Sequence, residues 1–167
     1  FRQVSLNEIE KLVGNLDTSK SCQYDDIPTR IIKDNKDIFS KFLFNHVNQT
    51  LINLKFPAHL KQGDVIPIFK KGKNTCKENY RPVSILSNIS KIFERVLFNQ
   101  LTMFFDKIFS KYQCGLRKGY STQHCLLHLL EKWKRSIDDK ANFGISLTDL
   151  SKAFDCIGHQ LLIAKLN

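Results

Sequence analysis

The chain has 167 residues, 42% of them hydrophobic and 13 of them Phe, which is enough to bury one core and excludes a wholly disordered chain. Lys and Arg outnumber Asp and Glu by 26 to 16, and the net charge of +10 favours a polyanionic partner, although a basic surface also serves solubility alone. No apolar run approaches the roughly 18 residues of a membrane span, so no membrane partner is expected.

The pattern of cysteines indicates reduced thiols. The five cysteines are odd in number and widely spaced, and they contain no C-x-x-C pair, so we expect an intracellular protein without a zinc site. The chain begins with Phe1 and ends at Asn167 inside an apolar-periodic segment, so we expect both ends to be cut from something longer. The cysteines are Cys22, Cys76, Cys114, Cys125 and Cys156.

Two helices are predicted in the first third of the chain. Ser5 and Glu8 have the spacing of a capping box, and apolar residues follow at helical intervals, which predicts a short first helix. Pro28 is well placed to open a second helix, whose apolar periodicity continues to Leu54 before Pro57 closes it.

A β-hairpin is predicted next. Two β-branched and aromatic segments, 64–69 and 81–86, flank a basic loop rich in turn residues, so the hairpin tip should be positively charged. Pro67 lacks a backbone donor, which predicts either an edge strand or a broken strand.

The remainder is predicted to hold two helices and a strand. A helix from Asn88 to Phe105 has the strongest apolar periodicity in the chain, and Ser121 is a plausible N-cap for another helix that places Trp133 in a core. The segment from Ile145 is predicted to be a strand that delivers Asp149 into a turn.

Four sequence blocks in this order carry a resemblance to a known family. Together they resemble the reverse transcriptases of non-LTR (LINE-type) retrotransposons, especially the jockey-like group. The blocks are Val65-Ile-Pro-Ile-Phe-Lys-Lys-Gly72, Asn79-Tyr-Arg-Pro-Val-Ser-Ile-Leu-Ser87 continuing to Lys91–Arg95, Tyr112-Gln-Cys-Gly-Leu-Arg-Lys-Gly-Tyr-Ser-Thr122, and Thr148-Asp-Leu-Ser-Lys-Ala-Phe-Asp155 with His159.

The resemblance implies a right-hand polymerase fold and its activity. It implies a helix-rich α/β (α+β) fragment, with a fingers region and connecting helices over about 1–140 and the start of the palm over about 141–167. The intact enzyme would extend a DNA primer on an RNA template with dNTPs and two Mg²⁺ ions, in the nucleus or the cytoplasm. Because a Phe/Tyr-x-Asp-Asp hairpin is missing from the sequence, the fragment is expected to be inactive alone.

The resemblance also assigns roles at the palm motif. It makes Asp149 the catalytic metal ligand, with the backbone carbonyl of Leu150 as a second ligand, and it places Phe154 under the sugar of the incoming nucleotide. Taken alone, Asp149 is more typical of an N-cap for the segment that follows than of a metal ligand, and a lone Phe is usually a core residue.

Basic residues receive two further roles from the resemblance. Arg81 and one of Lys70 and Lys71, with Lys70 favoured, would contact the triphosphate of the dNTP, whereas a charge run by itself often marks a solvated loop. The residues expected beside template and primer are Gln113, Gly115, Arg117 and Gly119.

Two other functions fit the same sequence. A non-catalytic, basic nucleic-acid-binding module would use the charge alone, and a decayed retrotransposon copy would have no function. The family usually has Phe at the position of Leu116, a departure that leaves the expected ligands in place.

Overall fold

The computed structural model describes residues 1–19, 27–149 and 157–166. Within these ranges the fold is mixed, with helices and one two-stranded antiparallel sheet, as the sequence predicts. The chain divides into two compact units, Phe1–Phe109 and Ser110–Asn167. The elements are α1 (Leu6–Gly14), α2 (Thr29–Asp34), α3 (Lys36–Asn53), β1 (Gly63–Phe69), β2 (Tyr80–Leu86), α4 (Asn88–Phe105), α5 (Thr122–Asp138) and α6 (His159–Leu166), with short 3₁₀ turns at Ala58–Lys61 and Lys77–Asn79.

The predicted capping box starts α1. The Ser5 backbone N–H donates to Glu8 Oε2 at 2.9 Å, and the Glu8 N–H donates to Ser5 Oγ at 3.3 Å, so two N–H groups without helical partners are satisfied. One face of the helix buries Ile9 and Val13 fully against the first unit's core, which includes residues of α3. The prediction of the first helix is confirmed.

The single helix predicted between Pro28 and Leu54 is wrong, because it breaks at Asn35. The Asn35 backbone has φ −111° and ψ 37°, outside the helical region, and it separates α2 from α3. The Asn35 side chain donates to the Ile31 carbonyl at 3.0 Å, and the Asn35 N–H donates to the same oxygen at 3.2 Å. The asparagine side chain thus adds a second hydrogen bond to a carbonyl in the last turn of α2, a local feature that apolar periodicity does not reveal.

The core of the first unit consists mainly of aliphatic side chains, most of them from α1, α3 and α4. Asn48 of α3 is buried with them and bonds the N-terminal segment, since its Oδ1 accepts the Val4 N–H at 2.8 Å and its Nδ2 donates to the Val4 carbonyl at 3.0 Å. Both backbone polar groups of the buried residue Val4 are thereby satisfied. The buried cluster comprises Val4, Ile9, Val13, Ile32, Leu43, Val47, Leu51, Leu60, Ile92, Phe93 and Val96.

A buried polar junction at the start of α4 joins the hairpin to the helices. Ser87 caps α4 by accepting the Ser90 N–H at 3.0 Å, and Ser90 Oγ donates to the Leu60 carbonyl at 2.8 Å. Asn88 Nδ2 donates to Thr29 Oγ1 at the start of α2, at 2.9 Å. The base of the hairpin is therefore attached to α2, to α4 and to the turn that precedes β1.

The hairpin accommodates two prolines without a break in either strand. Pro67 lies directly opposite Pro82 in the antiparallel register. The Lys70 N–H donates to the Asn79 carbonyl at 2.8 Å, and hydrogen-bonded pairs alternate with non-bonded pairs from there, so the prolines form a non-bonded pair. The backbone nitrogens of both prolines face the outer edges of the hairpin, so the pairing of β1 with β2 requires no N–H from either residue. Of the two alternatives, an edge strand is therefore the one observed.

The second unit contains α5 and α6, and two of its predicted features are wrong. Residues 145–149 do not form a strand, because the described residues of this unit provide no neighbouring strand to bond their N–H and C=O groups. Trp133 is not in a core: it is 46% exposed and stacks on Phe143 with ring centroids 6.2 Å apart.

Two further features concern the described residues only. Cys76, Cys114 and Cys125 form no disulfide, while Cys22 and Cys156 lie outside the described residues. No helix within the described ranges is long and apolar enough to cross a membrane.

The ion pair between Arg2 and Glu8 predicts a pH-dependent contribution to stability. The hydrogen bond from Arg2, together with that from Ser5, lowers the pKa of Glu8 from 4.5 to about 2. Because the folded-state pKa lies below the unfolded value, the stabilisation is full above pH 4.5 and disappears as the pH falls to about 2. Glu8→Gln keeps a capping-box residue but loses the charge, so we expect the urea midpoint at pH 7 to fall by roughly 0.3 M.

Urea unfolding of both proteins at pH 7 and pH 2.5 checks this expectation. The difference in midpoint should shrink towards zero at the lower pH. An equal difference at both pH values would show that Glu8 acts through packing and not through its charge.

Candidate functional site

The hairpin places two of the predicted cations on one face. Arg81 lies opposite Ile68 in the register, and the ladder continues to Lys70, whose N–H bonds the carbonyl of Asn79. Side chains alternate between the faces of a strand, so Lys70 and Arg81 share a face as diagonal neighbours. Lys71 is the next residue and falls at the start of the turn. The register therefore favours Lys70 over Lys71 as the partner of Arg81.

The loop between the strands is held by side chains from the start of β2 and the residue before it. Asn79 Nδ2 donates to the Lys73 carbonyl at 2.8 Å, and the Tyr80 hydroxyl donates to the Asn74 carbonyl at 2.8 Å. Gly72 has φ +89°, and a Cβ at this position would lie 2.7 Å from Asn79 Nδ2. A larger residue would thus face both an unfavourable dihedral angle and a steric clash.

Four lysines lie on this loop, and all of them are exposed. The ordered loop backbone fixes where their Cα atoms stand, while the long side chains remain free to reach a ligand. A high density of cations on an ordered loop suits a polyphosphate or a phosphodiester backbone. The lysines are Lys70, Lys71, Lys73 and Lys77.

The second predicted site is the loop before α5. Arg117 lies over the ring of Tyr120 at 4.6 Å, and its Nη1 donates to the Ser110 carbonyl at 3.5 Å. Gly119 has φ +83°, a conformation that favours glycine, whereas Gly115 has no positive φ and open space around it. Gln113 is exposed, and its N–H donates to the Ser110 carbonyl at 3.0 Å. The loop thus gathers all four predicted residues within one turn structure.

Leu116 is a feature of this loop that the sequence does not reveal. It has φ +58°, and the residue is 92% exposed. A branched apolar residue is uncommon in this backbone region, and strain of this kind concentrates at functional sites. The apex of the loop therefore presents an apolar side chain among basic residues.

Asp149 is exposed and forms no part of a regular element. An aspartate oxygen is the type of ligand that Mg²⁺ prefers, but one carboxylate does not hold the two ions of a two-metal site. Within the described residues no group of three or more His, Cys, Asp or Glu side chains could hold a metal ion. The donor set in this part of the chain is therefore incomplete. Leu150 and Phe154 lie outside the described residues.

The predicted residues fall into two groups, one in each compact unit. Lys70, Lys71 and Arg81 belong to the first unit and are brought together by the hairpin. The loop of residues 113–119 and Asp149 belong to the second unit. The positions of the residues in each group are therefore described within their own unit.

An apolar cleft of about 440 Å³ in the first unit is separate from these residues. Phe42, Ile89 and Phe93 contribute to its walls, together with His46 and His59. Among the described residues that line it there is no Asp or Glu and none of the predicted site residues. We assign no part of the predicted site to this cleft.

Comparisons with known proteins agree with the motifs. Residues 68–167 match the family described as reverse transcriptase (RNA-dependent DNA polymerase). The chain is 30% identical over 169 residues to a probable RNA-directed DNA polymerase from transposon BS of Drosophila melanogaster. The alignment covers 99% of this chain and 19% of the relative.

Two further relatives are RNA-directed DNA polymerases from the mobile element jockey. The protein of Drosophila melanogaster is 30% identical over 97% of this chain and 18% of its own length, and that of Drosophila funebris is 27% identical over the same shares. The chain therefore spans about a fifth of the length of these relatives.

The hydrogen bonds at the hairpin tip predict resistance of the loop to trypsin. Tyr80→Phe removes only the hydroxyl bond to the Asn74 carbonyl, and one such bond contributes about 0.5–1.5 kcal/mol. We expect cleavage after Lys73 to accelerate by about twofold to tenfold, because cleavage requires the loop to open. Timed digestion followed by peptide mass spectrometry measures this rate.

Tyr112→Phe, which removes a hydroxyl in the other unit, is the matched control and should leave the rate after Lys73 unchanged. Equal rates in Tyr80→Phe and the unsubstituted chain would contradict the role assigned to this bond.

Proposed function

Because the chain belongs to the reverse transcriptase (RNA-dependent DNA polymerase) family, we propose that it forms part of an RNA-directed DNA polymerase of a jockey-like, non-LTR retrotransposon. In this proposal residues 1–140 form the fingers region with its connecting helices, and residues 141–167 begin the palm of a right-hand polymerase fold. The complete enzyme extends a DNA primer on an RNA template and uses dNTPs as substrates.

The observation that best supports this proposal is the shared face of Lys70 and Arg81. Transfer of a nucleotidyl group spreads negative charge over the triphosphate, and preorganised cations stabilise that charge as it develops. Arg81 provides a planar, bidentate donor on a paired strand, and Lys70 provides a point charge beside it. We assign both residues to the triphosphate, with Lys71 as a further contact at the turn.

The loop of residues 113–119 is assigned to the template and primer. Arg117 and the exposed backbone around Gly115 can approach a phosphodiester closely, because a glycine presents no side chain there. Gln113 adds an exposed amide that can donate to phosphate or to a base edge. Contacts of this kind fix the position of a nucleic acid without reading its sequence.

Asp149 is assigned as one carboxylate ligand of the catalytic metal site, with the carbonyl of Leu150 as a second ligand and Mg²⁺ as the ion. When bound, the two ions activate the primer hydroxyl and stabilise the leaving pyrophosphate. Phe154 is assigned to the sugar of the incoming nucleotide, where its ring excludes a 2′-hydroxyl by shape. The described residues supply no complete set of ligands, so this stretch contributes to the metal site without forming it alone.

The purified 167-residue chain is expected to lack polymerase activity. One catalytic aspartate cannot hold two metal ions, and the described residues contain no further cluster of metal ligands. Incubation with a primed RNA template, dNTPs and Mg²⁺ should give no extension above a control without protein. Template-dependent extension by this chain would refute the expectation.

In a polymerase that contains these residues together with the remaining reverse transcriptase sequence, Asp149→Asn should abolish extension. The substitution keeps the size of the side chain but removes the charge that holds the metal, so we expect a loss of at least about 10³-fold in kcat. Asp139→Asn, an exposed carboxylate at the C-terminal end of α5, is the control and should retain full activity. Extension by the Asp149→Asn enzyme at more than a tenth of the normal rate would rule out the assigned role.

A further inference from the structure

Helix α5 has two chemically different faces. At 100° per residue, an apolar stripe and a basic stripe have centres roughly 160° apart around the helix. The apolar stripe is made of Leu126, Leu129, Leu130, Trp133 and Ile137, and the basic stripe of His124, His128, Lys132 and Arg135. When the apolar stripe is covered by other parts of a protein, the basic stripe points away from that contact.

The basic stripe meets the ring of Tyr112, which precedes the helix in the chain. Lys132 Nζ lies 4.4 Å and Lys111 Nζ lies 5.1 Å from the centroid of this ring. The His128 ring approaches the same tyrosine edge-on at 5.9 Å. One exposed aromatic ring thus gathers three cationic or ionisable groups from two segments of the chain.

A second aromatic ring links the stripe to the loop of residues 113–119. The Tyr120 ring contacts Arg117 at 4.6 Å and His124 at 5.6 Å between ring centroids. His124 Nδ1 accepts the Ser121 N–H at 3.1 Å, so the proton of the neutral ring is on Nε2, which can donate to a ligand. The loop and the helix therefore form one surface, with His124, His128 and Lys132 at steps of about 6 Å.

Charge in this region is strongly positive. Residues 110–140 contain seven Lys and Arg against three Asp and Glu. Glu131, the acid nearest to Lys132 in sequence, is engaged with Arg135 at 2.6 Å. The acid nearest in sequence to Lys132 therefore already pairs with Arg135.

We propose that this surface, formed by Tyr112, Tyr120, His124, His128 and Lys132, binds a single-stranded nucleic acid. Lys132 and the imidazole N–H groups of His124 and His128 contact successive phosphates, and the tyrosine rings stack on bases, the combination that characterises binding of single strands without sequence preference. The inference rests on the proposed function and deepens it, because it extends the contact with template or primer from the loop along the polar face of α5.

Fluorescence anisotropy of the 167-residue chain with a fluorescein-labelled 20-nucleotide oligo(U), measured over a range of salt concentrations, tests this proposal. Lys132→Gln should weaken binding by about threefold to tenfold and reduce the slope of log K against log salt by about 0.7. Lys134→Gln removes the same charge from the same helix but lies off the basic stripe, and it should change the affinity by less than about twofold. Equal losses in the two variants, or no loss in either, would overturn the proposal.

A second variant separates base stacking from charge. Tyr112→Leu should weaken oligo(U) binding by about tenfold, while binding to heparin, a polyanion without bases, should change by less than about twofold. Equal losses for oligo(U) and heparin would overturn the stacking part of the proposal. Neither binding assay requires catalysis, so a negative result would overturn only the proposal for this surface. The proposed function would instead be refuted by retained extension in the Asp149→Asn polymerase.

Discussion

Three buried polar side chains at the start of α4 support the arrangement of the first unit. Ser87 caps the helix, Asn88 bonds Thr29, and Ser90 bonds the Leu60 carbonyl, so the strand that ends at Leu86 enters the helical core along a fixed path. Buried hydrogen bonds of this kind are costly to break singly, because each lost partner leaves a polar group without water. The position of the hairpin, and with it the positions of its cations, follows from this junction.

The hairpin extends from that junction as an arm stabilised at both ends. The opposed prolines, Pro67 and Pro82, remove donors from its outer edges, which discourages pairing with another strand there. At the tip, Asn79 and Tyr80 bond two loop carbonyls and hold the lysine-rich turn. One short sequence block therefore supplies both a proposed triphosphate ligand, Arg81, and the groups that order the loop beside it. In the second unit, too, neighbouring segments of the chain form one basic surface, because the loop of residues 113–119 continues into the basic stripe of α5.

Much of the fold could be predicted from the sequence, where the signals are local. The capping box of α1, the periodicity of α4 and the two strands of the hairpin each depend on residues close together in the chain, and all of them are found in the structure. Periodicity did not predict the break at Asn35, because the features found there, a non-helical backbone and a side-chain hydrogen bond, leave the apolar pattern unchanged. The strand expected to end at Asp149 was wrong because a strand requires a neighbour, and periodicity carries no information about one.

The sequence by itself determined the family, most of the elements and the residue types of the site, because motifs and periodicity depend on the order of residues in the chain. Tertiary structure decided which of those residues share a surface. The cross-strand register places Lys70 and Arg81 on the same face of the hairpin. The fold of the second unit brings Lys132 to the ring of Tyr112. These residues are 11 and 20 positions apart in the chain. Such shared surfaces arise from hydrogen-bond registry and from chain reversal, and neither leaves a periodic signal in the sequence.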